Sequence, residues 1–274
     1  MQRRKQRRVG FVGMTMVTTL CVAAVSSGVA RATSNDGLAD VVGALPGALA
    51  GHDVAVTTVL PGYPAVMKAL TGADEIGAFE HFFGGPTRLL KGEAGGLPVI
   101  VVHAPHLYDR PGNPYLGPNG ADWPDNPIRF AALAQAAAQV ASGAVGGVGY
   151  DILHAHDWQA AMAPAYLAHQ GGHRPRAVVT VHNLAFQGQY PADLFPSLGL
   201  PASAFAIDGV EYYGMVGYLK AGLHYADRIT TVSPTYSREI MTAEGGMGLD
   251  GLLRARAGVV SGIVNGIDPD IWNP

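Results

Sequence analysis

Two short stretches hold the side chains best suited to chemistry. His154, His156 and Asp157 sit together in His-Ala-His-Asp-Trp-Gln (154–159), and His182 and Asn183 fall in Thr-Val-His-Asn-Leu-Ala-Phe-Gln-Gly (180–188). Imidazole nitrogens and a carboxylate can ligate zinc, and they can equally exchange hydrogen bonds with a hydroxyl-rich ligand. Against the metal reading, no Glu stands as general base beside a helical histidine pair, and the histidines follow apolar runs instead of lining one helical face. A Ser-His-Asp hydrolase is poorly supported without a Gly-x-Ser-x-Gly elbow, and no Walker phosphate loop occurs. Hydrogen bonding to a polyhydroxylated ligand, with Gln187 and Gln189 adding amide groups, is what these residues offer. No metal and no cofactor is expected.

The elements that must position them can be read from the same stretches. Each histidine group closes a short apolar, β-branched run, the pattern of strands buried on both faces of a parallel sheet. Between the runs, Trp158 to Gln170 is Ala-rich and long enough for a crossover helix, ended by Gly171-Gly172. The unit is β-α-β, with His154, His156, Asp157, His182 and Asn183 at the carboxyl ends of two strands, the edge where open α/β sheets bind ligands. Upstream, the spacing predicts a helix over 37–50, bent or split by Pro46, and strands over 54–60 and 97–102. An irregular, Gly-punctuated stretch separates those strands. A long loop with Tyr108, Tyr115 and Trp123 covers 105–127, and a helix covers 130–145. Downstream come a loop over 191–207, helices over 210–224 and 249–256, and strands over 227–232 and 259–264. Ser233-Pro234 marks a helix start. Lys220 and Glu211 read as solvated or capping charges on a helix. The fold class is α/β, one domain with a mainly parallel sheet.

Composition narrows the function classes. With 48% apolar and 14% charged residues, the chain of 274 can fill a core. Five of its 18 basic residues lie in the first eight positions; without them 13 basic face 21 acidic residues, a net charge of −8. That argues against nucleic acid as a partner. The single Cys21 leaves no internal disulfide and no cysteine metal cage, consistent with a reducing compartment. Residues 1–36 are ambiguous. A basic head, an uncharged run from Val9 to Ala30 and the small-x-small Ala30-Arg31-Ala32 have the build of a signal peptide. The alternative, preferred here, makes Val9 to Met14 the first parallel strand and the remainder a distorted loop. On that reading the chain is cytoplasmic and does not engage a membrane.

The motifs also resemble a family, the bacterial glycogen synthases and plant starch synthases, retaining glucosyltransferases of the two-domain GT-B type. Besides the two histidine motifs, the resemblance rests on Gly-Leu-Ala-Asp-Val-Val-Gly-Ala-Leu-Pro (37–46), Leu-Lys-Ala-Gly-Leu-His-Tyr-Ala-Asp (219–227), Thr-Val-Ser-Pro-Thr-Tyr (231–236) and Asn-Gly-Ile-Asp-Pro-Asp-Ile-Trp-Asn-Pro (265–274). It implies a Rossmann-like domain over 37–264, the amino-terminal half of a GT-B fold. A divergent segment precedes it at 1–36, an interdomain linker begins at 265–274, and the carboxyl-terminal Rossmann-like half is expected to be missing. The implied activity is transfer of glucose from ADP-glucose to the non-reducing end of an α-1,4-glucan such as glycogen, without a metal. The resemblance makes His182 catalytic and points to Gly37, Tyr115, Asp157, Trp158, Asn183 and Gln187 as substrate-binding. The chain departs from the family at the nucleotide-sugar loop. Where the family has Lys-Thr-Gly-Gly, this chain has Ser34-Asn35-Asp36-Gly37, so Ser34 replaces the lysine, through divergence or a locally altered reading frame. Two rivals remain open: a glucan- or sugar-binding module without transferase activity, and an exported α/β protein.

Overall fold

The computed structural model describes residues 18–23 and 37–266. In chain order it contains β1 (Thr18–Ala23), α1 (Gly37–Ala50), β2 (Val54–Pro61), α2 (Pro64–Ala69), β3 (Leu70–Phe82), β4 (Gly85–Ala94), β5 (Leu97–His103), α3 (Pro105–Tyr108), α4 (Asn126–Ala141) and β6 (Ile152–His156). There follow α5 (Asp157–Ala160), α6 (Ala163–His169), β7 (Arg176–Val181), β8 (Gln189–Pro191), β9 (Glu211–Tyr212), β10 (Met215–Gly217), α7 (Tyr218–Tyr225), β11 (Arg228–Thr231), α8 (Pro234–Glu239), α9 (Asp250–Ala255) and β12 (Val260–Gly262).

One sheet has the order β12-β11-β7-β6-β1-β2-β5-β4-β3. Every neighbouring pair from β12 to β5 is parallel, and β4 and β3 add an antiparallel edge. The chain steps from β1 through β2 to β5 on one side, then resumes at β6 on the other side of β1. Strand order therefore reverses between β1 and β6, and the crevice at the carboxyl ends there is where such sheets take ligands. The α/β class with a mainly parallel sheet is as the sequence implied.

Local composition explains the layers. β5 (LPVIVVH) and β7 (RAVVTV) are rich in β-branched residues and largely buried, as strands covered by helices on both faces must be. α4 packs on α6 and the sheet through a surface of alanines, whose small methyls let backbones approach closely while keeping helix propensity high. Two buried tyrosines lace this layer to its surroundings: Tyr218 Oη donates to Pro127 O at 2.8 Å, and Tyr166 Oη to Leu198 O at 2.6 Å.

Several expectations need correction. Val9–Met14 lies outside the described residues, but β1 occupies Thr18–Ala23, within the stretch read as a loop, where Thr-Thr-Leu-Cys-Val-Ala has strand-forming composition. The irregular stretch before β5 is the β3–β4 hairpin. α1 covers Gly37–Ala50 as read, and Pro46 does not split it. The crossover helix is broken into α5 and α6, and the helix read over 130–145 runs from Asn126 to Ala141. The first half of the helix read over 210–224 is the β9–β10 hairpin, and only Tyr218–Tyr225 is helical. Lys220 is not solvated: it is buried and its Nζ donates to Ile207 O and, at 2.7 Å, to Gly209 O. Glu211 lies on β9, where its Oε1 accepts from Gly214 N at 2.6 Å. No helix among the described residues is long and apolar enough to cross a membrane.

Candidate functional site

The period of two along β6 places His154 and His156 on one face, with ring centroids 4.2 Å apart. In register, His156 stands beside Thr180 of β7, and Thr180 beside Thr230 of β11. The hydroxyls of Thr180 and Thr230 are 2.6 Å apart, and His154 Nε2 lies 2.6 Å from Thr180 Oγ1. Just past the end of β7, His182 Nε2 lies 3.1 Å from His156 Nδ1. A row of three imidazoles thus runs from inside the sheet to its carboxyl edge, braced by a threonine pair.

Burial fixes the charge of the two rings on β6. Burial and the neighbouring His182 push His154 down to about 4. Burial, then His154 and His182, hold His156 well below the usual histidine range. At neutral pH both are uncharged, so the contact between His156 and His182 uses one donor and one acceptor nitrogen. His156 Nε2 is buried with no hydrogen-bond partner among the described residues. Leaving such an atom unpaired costs about 1–3 kcal/mol.

Asp157 joins the two strand ends. It adopts a left-handed backbone, φ +53°, where β6 turns into α5, and its Oδ1 accepts from the His182 backbone N–H at 2.7 Å. A carboxylate with αL backbone is a tolerated but strained choice, of a kind that collects at functional sites. The carboxylate fixes where His182 leaves β7. Beside it, Leu184 N donates to Tyr236 Oη at 2.9 Å, tying the same loop to α8. Ser233 caps α8 as its sequence implied, its Oγ accepting from Thr235 N and Tyr236 N.

The residues singled out in the sequence divide into groups. His156, Asp157 and His182 are brought together, with His182 half-buried and Asn183 exposed. Asn183 Oδ1 caps its own turn through Ala185 N at 3.0 Å. Tyr115 is linked to α5, its hydroxyl accepting from Gln159 Nε2 at 3.2 Å. Trp158 turns into packing: its ring meets Phe130 edge-on at 4.9 Å and lies under Gly188, where a Cβ would come within 2.4 Å of Cε3. Gly188 also has φ +62°, so both backbone and space require glycine there. Gln187 Nε2 donates to Met247 O at 3.1 Å. Gly37 opens α1, and Ser34 lies outside the described residues. No group of three or more His, Cys, Asp or Glu among the described residues is arranged to hold a metal ion. Sequence reasoning missed the Thr180–Thr230 brace, Gln159 and the Tyr236 hydroxyl. Thr180 and Tyr236 were in view within recognised motifs and Thr230 within the strand read over 227–232, but their partners depend on register and packing.

Comparison with known proteins adds to this geometry. A family model described as the starch synthase catalytic domain matches residues 21–255. A glycogen synthase of Rhodopseudomonas palustris (strain ATCC BAA-98 / CGA009) is 57% identical over 258 residues, covering 94% of this chain and 53% of the relative. One of Methylocella silvestris is 55% identical over 258 residues, with the same 94% and 53% coverage. The solved catalytic domain of Starch Synthase IV from Arabidopsis thaliana, bound to ADP and acarbose, aligns with a TM-score of 0.78 at 29% identity, covering 94% of this chain and 53% of that one. The chain spans about half the length of the curated relatives it matches.

Proposed function

Since the chain belongs to the starch synthase catalytic-domain family, we propose that it is the acceptor-side half of a glycogen (starch) synthase. The reaction is transfer of glucose from ADP-glucose to the non-reducing end of an α-1,4-glucan, with retention at the anomeric carbon. The observation that carries the reading is the likeness to glycogen synthases across nearly the whole chain. The ADP held by the Arabidopsis neighbour supports an adenosine-diphosphate sugar as donor.

His182 is assigned to the transferred glucose. An imidazole held from behind by His156 presents a fixed hydrogen-bonding edge to sugar hydroxyls. Asp157 sets the position of that imidazole through the His182 backbone N–H and, with Asn183, lies on the acceptor side. Tyr115, held by Gln159, borders the same region from the long loop. Trp158 and Gln187 support this edge from their packed positions. Gly37 and Ser34 belong to the nucleotide-sugar loop, where Ser34 withdraws the family's lysine charge. Retaining transfer also requires cations at the departing diphosphate. A second Rossmann-like half is assigned that task, so the present 274 residues alone turn over no donor. The reading places the chain in the cytoplasm. Fractionation with intact-mass measurement tests this, and a mature start at Thr33 in an exported fraction would contradict it.

The test joins this chain to the remaining half of a relative in one polypeptide and supplies labelled ADP-glucose with glycogen. Label should enter the glucan in α-1,4 linkage. A joined protein that binds glycogen but transfers no label would favour the sugar-binding module instead.

A further inference from the structure

Outside the histidine row, a cavity of about 240 Å³ lies between the residues after β2 and the loop over 110–114, with Tyr63, Arg110, Asn113 and Arg129 in its walls. Arg129 is 1% exposed, yet no acidic group among the described residues pairs with it. Its Nε donates to Leu107 O at 2.9 Å, and its Nη1 to Pro114 O at 2.9 Å and Asn126 Oδ1 at 2.6 Å. Among the described residues Nη2 makes no hydrogen bond, and the guanidinium has only rings as further company, Tyr63 at 5.8 Å, Tyr108 at 5.9 Å and Phe130 at 6.0 Å. Tyr63 is 7% exposed, and its hydroxyl is buried with no partner among the described residues. Burial raises its pKa above the ordinary tyrosine value, so it stays a donor at neutral pH.

The other polar walls do not neutralise Arg129. Arg110 is matched by its own carboxylate, with Nη1 and Nη2 on Asp125 at 2.6 and 2.5 Å, and it stacks on Trp123 at 4.9 Å. Asn113, also in the cavity wall, spends its carbonyl oxygen on Tyr115 N and Leu116 N, at 2.8 and 2.6 Å, and its amide nitrogen makes no hydrogen bond among the described residues. The cavity thus offers donors and one uncompensated buried cation, and no Asp or Glu lines it. A buried cation without a counter-ion is costly, and an anion seated against it offsets that cost. The volume is below the roughly 300–1,000 Å³ that encloses a drug-sized ligand, so the occupant is small.

We infer that this cavity binds a small anion, a phosphate or carboxylate group, between Arg129 Nη2 and the Tyr63 hydroxyl. The inference does not depend on the proposed transfer reaction. Its occupant would brace the loop that leads into Tyr115.

The test uses the purified full chain at constant ionic strength in a buffer free of both anions. Inorganic phosphate and acetate are titrated separately, following the backbone amide resonances of Gly112 and Asn113. Saturable shifts with either probe are expected, and the tighter one identifies the anion class. Tyr63→Phe removes only the orphan hydroxyl and should weaken binding about tenfold, the value of a hydrogen bond to a charged group. Arg129→Met should abolish it; if that variant does not fold, Tyr63→Phe alone decides. Absence of saturation with both anions, or affinity unchanged in Tyr63→Phe, would overturn the inference.

Discussion

His154 and His156 share one face of β6, and the fold holds both below the usual histidine range. The sign of the resulting pH dependence follows directly. A histidine whose folded pKa is depressed binds protons more readily when unfolded, so stability rises with pH wherever the two states differ. The contribution is complete above the unfolded value of 6.5 and is lost as pH falls toward about 4. At pH 5, His154 alone should cost about 2 kcal/mol relative to neutral pH. Urea unfolding at pH 7.5 and pH 5 measures this. His154→Gln should shrink the difference, and equal stability of the wild-type chain at both pH values would mean His154 and His156 are not buried and neutral as described. The presence of three histidines and an aspartate in two motifs was legible in the sequence. Their charge state was not, because it depends on which rings share a face and how deep that face lies.

At the scale of elements, α7 packs against the joint between α5 and α6 through Gly222, where an added Cβ would come within 2.7 Å of both Ala161 Cβ and Ala161 O. Gly222→Ala should therefore destabilise the chain by about 1–3 kcal/mol despite alanine's better helix propensity, the usual cost of overpacking. A chemical-denaturation midpoint that rises in this variant would show that α7 can slide away freely. The sequence missed what precedes α7 for a physical reason. The β9–β10 hairpin turns through Tyr213 and Gly214, with φ +51° and +77°, the two positive values of a type I′ turn. Such turns usually announce themselves with Asn-Gly or Asp-Gly, and Tyr-Gly does not. β4 was more readable: Gly85, Thr87 and Leu89 point inward and Pro86 and Arg88 outward, a period of two hidden among glycines. Its partner β3 is mostly exposed and broken by register shifts, leaving little apolar pattern to read.

On the scale of the whole molecule, the order of strands positions the candidate site. Strand order reverses between β1 and β6, the place where such sheets take ligands, and β6 and β7 carry His156, Asp157 and His182 to the carboxyl edge beside it. That much was legible, since apolar runs followed by polar motifs mark strand ends, and the family motifs appear in order along the chain. The Arg129 cavity was not legible, because it depends on long-range packing between the 105–127 loop, α4 and the residues after β2. The central claim is that the strand-edge imidazole serves glucosyl transfer and not only the fold. It is tested most directly by His182→Ala, measured for transfer in the joined two-half protein and for urea unfolding in this chain. The substitution strips His156 Nδ1 of its partner, so a stability loss of about 1–3 kcal/mol is expected. Transfer from ADP-glucose to glycogen should fall by about 10²–10³ or more under conditions where the variant remains folded. Near-normal transfer by folded His182→Ala would contradict the claim and make His182 a structural histidine.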